Sequence, residues 1–182
     1  MPETLSKEVI LDALARLNDA LKNRDVRGEL CLFGGAVMVL AFQARPSTQD
    51  VDAIFRPTAE FRQAAEEVRQ EKNLPENWLN DGVKGWVSEH GETTDAGLPQ
   101  FSHLHLTMPT ASYLLAMKAL AARAAGPEGS GDRADIVTLI RHLGLGDPGA
   151  VFAIIERYYP SQRVLPKTEY LIREIFDVLQ TS

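Results

Sequence analysis

Residues 30–55 constrain the fold more than any other stretch. An apolar run at 30–33 predicts a short buried strand, and it stops at Gly34-Gly35. Glycine reaches backbone conformations closed to residues with a Cβ, so the pair can open a sharp turn. An apolar helical segment follows over 36–42. After Arg45-Pro46-Ser47-Thr48 comes a second predicted strand carrying Asp50 and Asp52. Side chains alternate along a strand, so the two carboxylates share one side while Val51 turns to the core. Like charges side by side repel unless a cation sits between them. Hard oxygen ligands suit Mg²⁺ or Mn²⁺, and Mg²⁺ suits nucleotide phosphates.

A diglycine after a strand has a matching use. Its N–H groups can approach phosphate oxygens, and a following helix N-terminus favours negative charge. The ordered set strand, Gly34-Gly35, helix, Arg45-x-Ser47-Thr48-x-Asp50-x-Asp52, strand resembles the nucleotidyltransferase superfamily. It is most similar to bacterial AbiEii-like nucleotidyltransferase proteins, several of which act as toxins in toxin–antitoxin pairs. The resemblance implies that Asp50 and Asp52 hold the metal and that Gly34 and Gly35 bind the triphosphate of an NTP. The competing reading is a turn-forming diglycine and an acidic strand facing water.

The chain has 182 residues and 45% apolar composition, enough for one large domain or two small ones. Residues 1–110 carry 11 Lys and Arg against 17 Asp and Glu, and residues 111–182 carry 8 against 8. That balance does not advertise a protein that coats nucleic acid. An RNA substrate would need a local basic patch, expected from the second half. Cys31 is the single cysteine, which excludes an internal disulfide and fits a reducing, cytoplasmic setting. No apolar run approaches the roughly 20 residues of a membrane span.

In chain order, residues 5–22 predict an amphipathic helix with Thr4 or Ser6 as cap. Residues 58–72 predict another, with Phe61, Ala64, Ala65 and Val68 inward. Residues 74–87 hold Trp78 and Trp86 and read as a short helix and loop. There Lys84 could meet phosphate and Asn80 a base, or Asn80 could simply form a turn. Residues 88–100 read as a loop. Residues 101–108 alternate cleanly as a strand, with His103 and His105 on one face and Leu104 and Leu106 on the other. Many nucleotidyltransferases place a third carboxylate on such a strand. Here the histidines stand instead, either as a general base or as plain outward-facing residues.

From residue 109 the pattern turns helical. Helices are expected over 112–125, from Asp132 to 143, after Asp147-Pro148, and from Pro166, with a flexible break at 126–131. Lys118 lies in an otherwise apolar segment, and Asp132 and Asp135 follow. The resemblance implies that Lys118 contacts triphosphate and that one of the two aspartates orients it or acts as base. The alternative is an interhelical ion pair with Asp132 as a helix cap. Arg45 and Thr48 either brace the carboxylate strand or touch nucleotide.

The expected fold is a mixed α/β (α+β) one. A small nucleotidyltransferase-like sheet flanked by helices occupies 1–109, and a helical subdomain occupies 110–182 and completes the cleft. The implied activity is metal-dependent transfer of a nucleoside monophosphate from NTP to an acceptor hydroxyl, on RNA such as tRNA or on protein, as the toxin of a pair with a cognate antitoxin. Two alternatives stand beside it: a catalytically inactive protein-binding partner of the same fold, and a small-molecule (antibiotic) nucleotidyltransferase.

Overall fold

The computed structural model describes residues 4–122 and 127–181. They divide into two compact units. One holds Met1–Gly85 and Thr94–Met108, the other Trp86–Thr93 and Pro109–Ser182. The mixed sheet with flanking helices and the C-terminal helices match the expected fold class. No described helix is long and apolar enough to cross a membrane.

The sheet-bearing unit starts with β1 (Leu5–Ser6) and α1 (Lys7–Asn23). β2 (Gly28–Leu32), α2 (Gly34–Leu40), β3 (Ser47–Thr48) and β4 (Val51–Arg56) follow. Next come α3 (Thr58–Lys72), β5 (Leu79–Asn80), a 3₁₀ turn at Gly82–Trp86, β6 (Thr93–Thr94) and β7 (Leu104–Pro109). Ser6 caps α1 by accepting the Val9 N–H, which satisfies one donor left open at a helix start. At the other end of α3, Asn73 takes the left-handed conformation at φ 51°, a role open to few residues besides glycine.

The five strands lie in the order β5-β4-β2-β7-β6. β2 runs antiparallel to β4 and parallel to β7. Alternation separates the faces. Leu30, Leu32, Ala53, Phe55, Leu104 and Leu106 are buried, and so are Leu14, Leu17 and Leu21 of α1 and Phe61 and Val68 of α3. Phe55 stacks on Phe61 with centroids 5.3 Å apart. A Cβ on Gly28 would lie 2.2 Å from the Phe61 ring, so α3 packs where only a glycine leaves room. Each large side chain buried here contributes on the order of 1.5–3 kcal/mol. The opposite face carries Cys31, Asp52, Ile54 and Thr107, all half-buried.

The helical unit comprises α4 (Ala111–Ala121), α5 (Pro127–Leu143), α6 (Pro148–Tyr158), a 3₁₀ turn at Ser161–Arg163 and α7 (Pro166–Thr181). Seven residues of α4, from Tyr113 to Leu120, are buried. A helix apolar all round must be surrounded, and α4 packs against α5, α6 and α7. Thr110 caps α4 and Asp147 caps α6.

Several expectations need correction. The second strand begins at Val51, leaving Asp50 just outside it. The last strand begins at Leu104 rather than 101. The glycine-rich segment is not a break through to 131: α5 already starts at Pro127, while Gly126 lies outside the described residues. Proline at the first helical position loses no hydrogen bond. Burial of Ile136, Leu139 and Ile140 further along offsets the helix cost of glycine, about 1 kcal/mol each. Asp132 is therefore inside a helix and is not its cap. α4 ends at Ala121, and residues 123–125 of its expected length lie outside the described residues.

Candidate active site

β2 and β4 deliver the diglycine and the two carboxylates to the same end of the sheet. The Phe33 N–H donates to the Asp52 carbonyl at 2.8 Å, so the turn into α2 starts level with Asp52. Gly34 takes φ +57° there, and a Cβ on it would lie 2.7 Å from Asp52 Oδ2. The first glycine is thus required twice, by its backbone conformation and by the carboxylate against it. A Cβ on Gly35 would lie 2.3 Å from Thr48 Oγ1 and 3.4 Å from an Arg45 guanidinium nitrogen. Thr48 is buried and its strand pairs with Leu5 of β1. Arg45 and Thr48 therefore pack against Gly35.

Asp50 and Asp52 are both half-buried. The Asp50 carboxyl is raised above its ordinary value, first by burial and then by the charge of Asp52; a hydrogen bond from Asn80 opposes the shift. Asn80 Nδ2 donates to Asp50 Oδ2 at 2.9 Å, and Asn80 Oδ1 accepts the Gly82 N–H at 3.0 Å. The amide is locked between strand and turn and points one donor at the carboxylate. Sequence reasoning missed this role. No local pattern signals it: the strand at Leu79–Asn80 has two residues, and its pairing with β4 sets Asn80 opposite Asp52.

Lys84 does not stand free for phosphate. Its ammonium pairs with Asp81, which also pairs with Arg62, and the Asp81 carboxyl is lowered chiefly by Lys84. Trp78 is a packing anchor, 2% exposed and donating its indole N–H to the Ala65 carbonyl. Trp86 is partly exposed, with the Arg163 guanidinium 5.7 Å over its ring.

In the helical unit Lys118 and Asp135 meet. Lys118 Nζ lies 2.6 Å from Asp135 Oδ2, and the side chains are 11% and 3% exposed. The contact is an ion pair between α4 and α5. Asp132 sits one helical turn earlier on α5, half-buried.

The histidines are not level with the carboxylates. The sheet register sets Cys31 beside both Ile54 and Thr107, and Glu29 beside both Arg56 and His105. His105 is therefore level with Arg56, four residues along β4 from Asp52, or about 13 Å at 3.3 Å per residue. Neither histidine can serve as base beside Asp52. Among the described residues no group of three or more His, Cys, Asp or Glu side chains could hold a metal.

Two carboxylates still fit Mg²⁺, which binds through one or two carboxylates and completes its shell with waters and substrate phosphates. Their mutual repulsion, visible in the raised Asp50, is what a cation would relieve. Compared with protein-family models, curated proteins and solved structures, the chain gives no significant match to any.

Proposed function

We propose that this chain is a nucleotidyltransferase of the AbiEii-like kind, acting in the cytoplasm on an acceptor hydroxyl of RNA or protein as one half of a toxin–antitoxin pair. One observation carries the reading: Asp50 and Asp52 converge at the sheet end where Gly34 lies against the Asp52 carboxylate. Asp50 and Asp52 would hold Mg²⁺ or Mn²⁺. When bound, the metal neutralises triphosphate charge and aligns it for in-line attack. The acceptor oxygen forms a bond to the α-phosphorus, the α–β anhydride bond breaks, pyrophosphate leaves, and the hydroxyl proton passes to a base. Asn80 holds Asp50 in place, and Gly34 gives the nucleotide phosphates access that any side chain would block. Lys118 pairs with Asp135 and so holds α4 to α5.

A second reading, a binding partner without catalysis, is favoured by β7, which carries His105 and Thr107 on the face of Asp52 and no carboxylate. Calorimetric titration with each NTP and Mg²⁺, followed by transfer assays from labelled NTP to total RNA and to protein, separates them. Metal-dependent NTP binding that disappears in Asp50→Asn/Asp52→Asn, together with labelled product, supports the transferase. Absence of NTP binding with either metal overturns the transferase and supports the partner.

A further inference from the structure

The same sheet face that bears Asp52 at one end opens at the other into a groove of about 520 Å³. Arg27, Glu29, Arg56, Phe101, His103 and His105 contribute to its wall. We infer that this groove is a second ligand site, which binds a small phosphomonoester independently of divalent metal.

Charge and partnering carry the inference. The chain has a formal net charge of −6, and arginines elsewhere in this unit are matched: Arg16 with Glu71, Arg24 with Glu67, Arg62 with Asp81 and Arg69 with Glu66. Arg27 and Arg56 have no ion pair among the described residues. Both are exposed, and both line one concave surface. Glu29 is the Cα partner of Arg56 across the β2–β4 pair, yet no ion pair joins them. Two guanidinium forks with no ion-paired carboxylate suit a planar or tetrahedral oxyanion held by paired N–H donors.

The histidines add donors. His103 Nδ1 shares a hydrogen bond with the Ser102 hydroxyl at 2.9 Å, which leaves its Nε2 as the edge open to a ligand. His105 Nε2 lies 3.8 Å from Asp95 Oδ2, and both side chains are more than half exposed. Phe101 and Pro57 provide apolar wall beside the cationic part. A pocket of this size with an apolar side and a few converging polar groups suits a small molecule. A phosphate ester carrying a ring or short chain matches both halves, whereas inorganic phosphate uses only one.

The test is calorimetry in EDTA, where the bare carboxylate end repels phosphate and the arginine end does not. AMP, ribose 5-phosphate, inorganic phosphate, adenosine and a 12-nucleotide RNA are titrated separately. A saturable phosphomonoester signal, at least tenfold weaker in Arg27→Gln/Arg56→Gln and stronger in Glu29→Gln, supports the site. It should persist in Asp50→Asn/Asp52→Asn, so failure here is distinct from failure of the transferase reading. AMP against ribose 5-phosphate tells whether the base or the sugar phosphate alone is recognised; either supports the site. No signal from either ester at millimolar concentration overturns it. So does a signal that survives loss of both arginines, and so does an RNA that binds more tightly than either ester through the same arginines. Circular dichroism of the double arginine variant, both residues being exposed, checks that the fold is retained.

Discussion

Replacing Lys118 by methionine isolates the buried ion pair of the helical unit. The stem and the helix propensity are kept, and only the ammonium is lost. Asp135 then keeps a carboxyl group at 3% side-chain exposure and loses the ammonium that stood 2.6 Å away. Breaking a buried pair from one side costs on the order of 3–5 kcal/mol, against about 0–1 kcal/mol for an exposed pair. Asp135 is buried and Lys118 nearly so, which puts the pair close to the larger figure. For a chain of this size each kcal/mol shifts Tm by about 2–4 °C, which gives a fall of roughly 6–20 °C. Removing both charges, in Lys118→Met/Asp135→Leu, should recover most of it, because two apolar side chains need no solvation. Urea titration at 25 °C and calorimetric Tm on the wild type, both singles and the double give the coupling energy. Arg16→Gln, which breaks the half-exposed pair with Glu71, is the reference and should cost under about 1 kcal/mol. A Tm for Lys118→Met within 2 °C of wild type would refute the reasoning, as would a double variant less stable than either single one.

Two further perturbations test the sheet unit. Asn80→Ala removes the donor that favours ionised Asp50, so the carboxyl should titrate higher still than its raised position over the ordinary 3.8. Because the folded value lies above the unfolded one, Asp50's contribution to stability is fully present below the unfolded value and lost as pH rises through the folded one. Carboxyl ¹³C titration reads the shift, and an unchanged or lower value contradicts the assigned role. Gly28→Ala would place a methyl 2.2 Å from Phe61 Cε2 and 3.0 Å from Leu21 Cδ1, an overpacking worth about 1–3 kcal/mol. Partial recovery with Phe61→Leu in the urea midpoint is expected, and a Gly28→Ala variant as stable as wild type contradicts the packing described.

The elements with a strong period were legible. α1, α3 and the two-residue alternation around Leu104 follow from where the apolar residues fall, because one buried face fixes the phase. The Gly34–Asp52 juxtaposition was legible for a different reason: strand, glycine turn and returning strand are local in sequence. What stayed hidden was long-range. Asn80 reaches Asp50 through a two-residue strand too short to show a pattern. His105 alternates as a strand residue should, but its level relative to Asp52 depends on the β2–β7 register, which no local pattern encodes. The start of α5 at Pro127 was hidden because glycine punctuation outweighs a helix held by apolar residues further along. Lys118 with Asp135 was legible as a pair.

The segment Trp86–Thr93 has a consequence for how the chain can be made. It belongs to the helical unit although it emerges between stretches of the sheet unit. Its most distant partners are far downstream: Tyr158 and Arg157 bind Glu92, Tyr158 accepts from Ser88 through its carbonyl, and the Tyr159 hydroxyl donates to the Trp86 carbonyl. At about 5–20 residues per second of synthesis, a separation of 65–73 residues leaves this segment waiting about 3–15 s for them. During that interval the Trp86 carbonyl, the Ser88 hydroxyl and the Glu92 carboxylate must be satisfied by water or by a chaperone. A single cut between residues 108 and 109 cannot yield two independent pieces, since the first would carry Trp86–Thr93 away from the helices that complete it. Coexpressed halves would have to exchange that strip in trans, and a circular permutant opened within it would separate the strip from one of its two attachments to the sheet-bearing chain.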